Sequence, residues 1–374
     1  MNSQYRIAVA AGGTGGHLFP AAALSHVLNA RGFEVHLVTD ERAEKYGGDF
    51  PAHEIHKIAA ASPSGGSVVS RAKAVVTLAQ GAVAARKLFL KIMPDAVAGF
   101  GGYPAVPPLL AAAWLRIPAL LHESNAVIGR ANRFLAPRVD AIAKGFEDLG
   151  GLPEKLAARA HLTGNPVRPM VLEAARMPFP DWSDGKLKIL VTGGSQGARI
   201  FSDIVPAAIA LLPEEIRRKL ILVQQARGED EARVRRTYAG LGVDAEVKPF
   251  FADLPARIAQ AHLVIARSGA STVSELAVIG RPAILVPLPH ALDQDQAANA
   301  KQLAAGGAAT IAAQSVFSPQ WLATSLVEAQ ADIGVLAARA RAAKRAGVPD
   351  AAERLAGLVQ DLLNDGNKEY EIAG

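Results

Sequence analysis

Four of the five residues from Gly12 to Gly16 are glycine, and the run Gly12-Gly13-Thr14-Gly15-Gly16-His17 lies directly between an apolar segment and a helix-like one. Arg6 to Ala11 reads as a short strand of the continuous apolar kind that parallel sheets use. Pro20 to Leu28 reads as a helix, with proline in its first turn and Gly32 as a stop. The unit is strand, glycine loop, helix. Glycines let backbone N–H groups approach a ligand with no Cβ in the way, and the helix points its positive end at the same spot. The loop is therefore suited to an anion such as a diphosphate.

Two familiar phosphate loops fail on inspection. A dinucleotide fingerprint anchored on Gly13 and Gly15 requires a small residue where Leu18 stands, with Asp40 as its ribose acid. A P-loop requires lysine and a hydroxyl residue after the last glycine, and His17-Leu18 follow instead.

At 374 residues the chain is too long for one ordinary core, so two domains are expected. Half of it is hydrophobic and a fifth charged, enough for each half to bury a core. The net charge of +5 and pI near 9.4 suit anionic partners such as nucleotides or lipid headgroups. No Lys/Arg block resembles a nucleic-acid arm, so nucleic acid is not an expected partner. The absence of cysteine removes disulfides, thiolate nucleophiles and Cys-type zinc sites together. Residues 1–5 do not look like an export signal, and the longest apolar run, Val106 to Leu121, is broken by Pro107, Pro108, Arg116 and Pro118. A soluble cytoplasmic protein is expected.

Strand-like and helix-like runs alternate, the pattern of parallel sheets covered on both faces. Strands are expected near 6–11, 33–38, 95–100, 118–122, 140–144 and 161–163. Their loops include Gly101-Gly102-Tyr103, His122-Glu123-Ser124-Asn125 and Gly164-Asn165-Pro166, and in open α/β sheets ligands bind outside those carboxyl ends. The proline-rich 166–185 reads as a linker. Beyond it Leu187 to Thr192 leads into Gly193-Gly194-Ser195-Gln196-Gly197-Ala198-Arg199, a second strand, glycine loop and helix. Further strands are expected near 219–224, 245–249, 263–267, 283–287 and 308–311. The chain after 313 is helical, with a break at Pro349 and a last helix near 350–364 that could return to brace the first domain.

Arg267-Ser268-Gly269-Ala270-Ser271-Thr272-Val273-Ser274-Glu275 can present several N–H and O–H donors to phosphate at a helix start. A buried Glu275 can accept two hydrogen bonds from a ribose diol. A plain helix cap at Ser271 or Thr272 fits the same residues equally well. His290 to Ala300 is rich in amides and carboxylates that suit sugar hydroxyls, or a solvated helix start. No metal cage of recognised spacing surrounds Asp293 and Asp295. His17 is a candidate general base, since imidazole titrates at about 6.5; Glu123 and Asn125 are the other polar candidates on that edge. Between Arg71 and Met93 a helix carries apolar residues at 72, 75, 76, 79, 82 and 83, a stripe expected to pack on the sheet. Its basic, apolar ends, with the segment Ser62 to Ser70, are suited to an anionic bilayer.

These segments, together with Gly101 to Pro104, His122 to Asn125 and Gly164 to Arg168, resemble in the same order the MurG family of N-acetylglucosaminyltransferases, over residues 6 to about 360. The resemblance implies a glycosyltransferase-B fold: α/β, with two Rossmann-like, doubly wound parallel-sheet domains facing a cleft. It implies an acceptor and membrane-docking domain at 1–164, braced by a C-terminal helix at 348–374, and a UDP-sugar donor domain at 165–347. The implied reaction moves N-acetylglucosamine from UDP-N-acetylglucosamine to the C4 hydroxyl of lipid I, with inversion, giving lipid II at the cytoplasmic face of the inner membrane. By the same resemblance Thr14, Gly15, Gly16, Asn125, Arg168, Ser195, Ala270, Ser271, Thr272, Val273, Ser274, Glu275 and Gln296 line the donor site. Glu275 would hold the ribose, Ser195 the diphosphate, Asn125 and Gln296 the sugar hydroxyls, and Phe251 would offer its backbone to uracil. No cofactor or metal is implied, and other cell-wall and division proteins are implied partners. Most relatives carry Gln where Ser124 stands and His or Gln where Asp295 stands.

The rival readings are an epimerase acting on UDP-N-acetylglucosamine, a nicotinamide oxidoreductase, which Leu18 opposes, and a non-catalytic nucleotide-sugar sensor.

Overall fold

The computed structural model describes residues 5–12, 14–41, 50–63, 67–194, 197–289 and 294–372. Gly13, Ser195, Gln196 and the stretch 290–293, with His290 and Asp293, lie outside the described residues. The chain forms two units, one of residues 1–168 together with 349–374, the other of residues 169–348.

The first unit carries seven strands: β1 Arg6–Ala10, β2 Glu34–Thr39, β3 Glu54–Lys57, β4 Ala96–Gly99, β5 Ala119–Glu123, β6 Ala141–Lys144 and β7 Ala160–Leu162. They are ordered β3-β2-β1-β4-β5-β6-β7, and every pairing is parallel. Because both faces are covered, β1 needs apolar residues on both. Ile7 and Val9 join Leu18, Leu24 and Leu28 in one core, and Ala8 and Ala10 join Phe89, Leu109 and Leu121 in another. The strand order reverses between β1 and β4, which sets the glycine loop at the switch point where such sheets bind ligands.

The helix after that loop is Gly15–Ala30, so Gly15, Gly16 and His17 form its first turn and Pro20 lies inside it rather than at its start. Its apolar face meets the last helix, Ala351–Ile372. Leu355, Ala356, Val359 and Leu363, spaced for one helix face, are all buried there. Removing these leucine and valine side chains from water stabilises the unit by roughly 1.5–3 kcal/mol each. The exposed ion pair Arg31–Glu353 on the same seam contributes little beside that.

The helix Val68–Ile92 corrects one expectation. Its inner face is Ala74, Gly81, Ala82, Ala85, Phe89 and Ile92, whereas Val75, Val76 and Val83 of the expected inward stripe are exposed. Small residues let the helix come close: a Cβ on Gly81 would sit 2.4 Å from the carbonyl oxygen of Ala59 and 3.0 Å from Pro107. By length and composition alone this 25-residue helix is, among the described residues, the one that could cross a bilayer; in the fold its inner face is built into the α/β layer.

The second unit repeats the scheme with β8 Leu187–Thr192, β9 Leu220–Gln225, β10 Asp244–Lys248, β11 Leu263–Ala266, β12 Ala283–Leu285 and β13 Ala309–Ile311. Their order is β10-β9-β8-β11-β12-β13, again all parallel. The loops after β8 and β11 therefore flank its switch point. The stretch read as linker is not without structure, because Pro169–Ala174 is helical, starting on a proline whose missing N–H costs nothing there. Arg281, buried, donates to the carbonyl oxygens of Ala259, Met177 and Pro178 and so holds the following segment on this unit.

Candidate functional site

In the first unit three loops meet at the carboxyl ends of the strands. Gly12 is confined: an added Cβ would fall 2.9 Å from Thr39 Oγ1, 3.0 Å from Asp40 Oδ1 and 3.0 Å from Pro104. His17 follows in the first helical turn, half-buried, with Nε2 3.2 Å from where a Gly102 Cβ would stand. Thr14 precedes the helix in extended conformation, exposed, and its side chain makes no capping bond. Gly16 is also exposed, whereas Gly15 lies over Phe19, on whose ring the Arg168 guanidinium stacks at 4.4 Å. The structure thus brings Gly15 and Arg168 to one place through an aromatic residue that sequence reasoning did not single out.

Glu123 organises the loop that carries Asn125. Its carboxylate is buried and accepts from Asn125 N at 2.9 Å, Asn125 Nδ2 at 3.2 Å, Gly129 N at 2.9 Å and Asn132 Nδ2 at 2.7 Å. Burial pushes the carboxyl up, and these donors pull it down without cancelling the burial. Asn132 also packs against Gly101, so this carboxylate ties the β5 loop to the β4 loop.

His122 beside it is fully buried, with Nε2 3.2 Å from the Gly164 carbonyl oxygen and Nδ1 3.3 Å from Ser124 Oγ. Burial drives its imidazole down to about 4. The unfolded chain therefore takes up a proton near pH 6.5 that the folded chain refuses until about pH 4. The stability this neutral imidazole contributes is whole above about pH 6.5 and is lost as the pH falls toward 4, about 3 kcal/mol in all. Denaturant unfolding at pH 7 and at pH 4 should show that loss, and His122→Asn should flatten that part of the profile. An unchanged profile would contradict the assignment.

In the second unit the glycine loop after β8 is held as closely as the first. A Cβ on Gly193 would collide with the Ala198 backbone nitrogen at 2.2 Å. Gln225, buried at the end of β9, accepts from Gly193 N at 3.0 Å and from Thr192 Oγ1 at 3.0 Å, and donates to the carbonyls of Gly194 and Pro249. It joins the glycine loop to the segment bearing Phe251, which is buried beneath the Arg257 guanidinium at 4.4 Å. A pair of glutamines, Gln224 and Gln225, closing an otherwise apolar strand is the sequence signal for this brace.

The helix Ala270–Ile279 is capped by Gly269, so neither Ser271 nor Thr272 is its N-cap; both lie within the first turn. The amides of Ala270, Ser271 and Thr272 precede the first in-helix acceptor pair, Val273 N to Gly269 O at 3.0 Å, and point out of the helix start. Ser274 and Glu275 are buried one turn in. Ser268 Oγ donates to the Gln296 carbonyl at 2.8 Å, and Gln296 Oε1 accepts from Leu288 N at 3.1 Å, which sets Gln296 beside the loop before this helix. Arg267 turns away, donating to the Val286 and Pro287 carbonyls and to Gln314 Oε1. Each unit therefore presents backbone N–H groups and amide side chains at its switch point, a donor set for phosphate and hydroxyl oxygens.

Residues 7–144 match the model for the glycosyltransferase family 28 N-terminal domain, and residues 188–355 that for the family's C-terminal domain. The chain is similar, at 56% identity over 95% of its length and 97% of the relative's, to a protein of Methylorubrum extorquens named UDP-N-acetylglucosamine--N-acetylmuramyl-(pentapeptide) pyrophosphoryl-undecaprenol N-acetylglucosamine transferase. A protein of the same name from Brucella suis is 55% identical over 96% of this chain and 94% of its own. Among solved structures the fold is similar to Acinetobacter baumannii MurG, with a TM-score of 0.78 and 30% identity over 96% of this chain and 99% of that one.

Proposed function

The chain belongs to glycosyltransferase family 28, and from that premise we propose that it transfers N-acetylglucosamine from UDP-N-acetylglucosamine to undecaprenyl-pyrophosphoryl-N-acetylmuramoyl-pentapeptide, forming lipid II. The observation that carries the reading is the pair of glycosyltransferase-B-type α/β units, each with a donor-rich switch point, in a chain 55–56% identical to transferases of that name.

The second unit holds the donor. The amides at the start of Ala270–Ile279, with Ser195 in the neighbouring glycine loop, take the diphosphate; Glu275 takes the ribose diol, Gln296 the sugar and the Phe251 backbone the uracil. Negative charge develops on the UDP oxygen as the glycosidic bond breaks, and preorganised N–H donors at a helix start lower that cost. In the first unit the residues proposed for the donor are Thr14, Gly15, Gly16, Asn125 and Arg168, and His17 takes the proton of the attacking C4 hydroxyl. One displacement, with the base on the acceptor face, inverts the α-linked donor to a β-1,4 product.

The acceptor is lipid-borne, so the protein works as a peripheral protein at the cytoplasmic face of the membrane. Val75, Val76 and Val83 form an exposed row on Val68–Ile92, Val68 and Val69 extend it, and Arg71, Lys73, Lys87 and Lys91 lie on the same helix. Such a surface buries apolar side chains at the headgroup boundary while its cations meet anionic lipid. Replacing both Val75 and Val76 by serine should lower binding to anionic vesicles at least tenfold, since each valine contributes about 1.5 kcal/mol when buried. Flotation of wild type and variant with equal recovery would remove this surface from the proposal.

The activity itself is tested by UDP release from UDP-N-acetylglucosamine with and without a short-chain lipid I analogue. Acceptor-dependent release with a β-1,4-linked disaccharide product is expected. Conversion of the donor to its epimer without acceptor would establish the epimerase instead, and donor binding with no turnover would leave a sensor.

A further inference from the structure

The β2–β3 edge of the first sheet carries a group of side chains that the transferase reaction does not use. Alternate residues of β2, Glu34 and His36, and of β3, Glu54 and His56, share one face, because in the parallel register His36 lies beside Glu54 and Val38 beside His56. His36 Nδ1 and His56 Nε2 face each other at 3.1 Å, and Glu54 Oε2 is 3.7 Å from His56 Nε2. One ligand atom from each of His36, Glu54 and His56 can be chosen so that all lie within 4.8 Å of one another.

We propose that His36, His56 and Glu54 form a site for one divalent cation of the zinc class, clasping the edge strand β3 to β2. The spacing fits: two imidazole nitrogens bound tetrahedrally at about 2.0–2.1 Å from zinc lie about 3.3 Å apart. Two imidazoles and one carboxylate suit zinc, nickel or cobalt rather than magnesium or calcium, which take oxygen ligands. The second observation is behind the ligands. His36 is buried, and its other nitrogen, Nε2, meets Glu34 Oε1 at 2.8 Å, with Arg6 Nε 3.3 Å from the same oxygen. A carboxylate on the far nitrogen of a ligating histidine fixes the ring and its tautomer and raises its basicity, as metal sites require. His53, its ring 5.6 Å from that of His36, is the next nitrogen donor. Lys91, whose charge reaches His56, opposes a dication and limits the affinity.

The test uses full-length, tag-free protein freed of metal with a chelator and titrated with Zn2+ and with Co2+. Wild type should take up one equivalent, give a visible Co2+ absorption of tetrahedral intensity, and unfold at a higher temperature with Zn2+ present. His56→Gln and Glu54→Gln, both on the accessible edge strand, should bind at least tenfold more weakly. Glu34→Gln, which removes no ligand, should keep its fold by circular dichroism yet bind about 10- to 100-fold more weakly. Absence of saturable binding by wild type, or binding that His56→Gln retains in full, would overturn the site.

Discussion

Replacement of Glu275 by alanine is expected to weaken UDP-N-acetylglucosamine binding about 100-fold or more. Glu275 is buried one turn into Ala270–Ile279, close behind the amides assigned to the diphosphate. A carboxylate accepting both hydroxyls of a ribose makes two charge-assisted hydrogen bonds of about 1.5–3 kcal/mol each. Their loss corresponds to two or more decades of affinity. The contact is isolated by a cycle with a 2′-deoxyribose donor: wild type should discriminate against it, and Glu275→Ala should not. A variant that binds weakly but still discriminates would place the ribose elsewhere.

Replacement of His17 by alanine should lower kcat by about 100- to 10,000-fold, the usual contribution of a positioned general base. The ring stands in the first turn after the glycine loop, its Nε2 against Gly102, on the unit assigned to the acceptor. Removing a base that acts on the acceptor hydroxyl leaves donor affinity nearly unchanged. Turnover and donor binding measured on one preparation decide it: a loss of binding as large as the loss of rate would make His17 a donor contact.

Much of this architecture is written in the alternation of apolar strands and helices, because parallel strands buried on both faces must be continuously apolar. Edge strand β3 is the exception. Glu-Ile-His-Lys is short and polar and buries almost nothing, so no periodic apolar signal marks it. The His36–Glu54–His56 cluster was hidden with it, since its members come together only through strand pairing. The helix Val68–Ile92 shows a different limit. Periodicity finds an apolar face, but this helix has two, and the one with Ala74, Gly81, Ala82 and Ala85 beside Phe89 and Ile92 packs inward because its small side chains allow close approach. In the site, the glycine loops and Glu275 stand out by residue type. Glu123 stands out as a polar candidate but not as a brace, and Gln225 and Phe19 do not stand out at all, because a brace is defined by what it touches.

The return of Ala351–Ile372 to the first unit orders the protein's own synthesis. Leu355, Val359 and Leu363 fill the core under Gly15–Ala30, so that core stays open until residue 363 has been translated. At about 5–20 residues per second, residues 169–363 take about 10–40 s to appear. Over that interval the second unit is made through to residue 348, while the first, begun earlier, still exposes the apolar face of its opening helix. The half that starts first on the ribosome is thus the half that finishes last, and it is the one a chaperone would have to shelter.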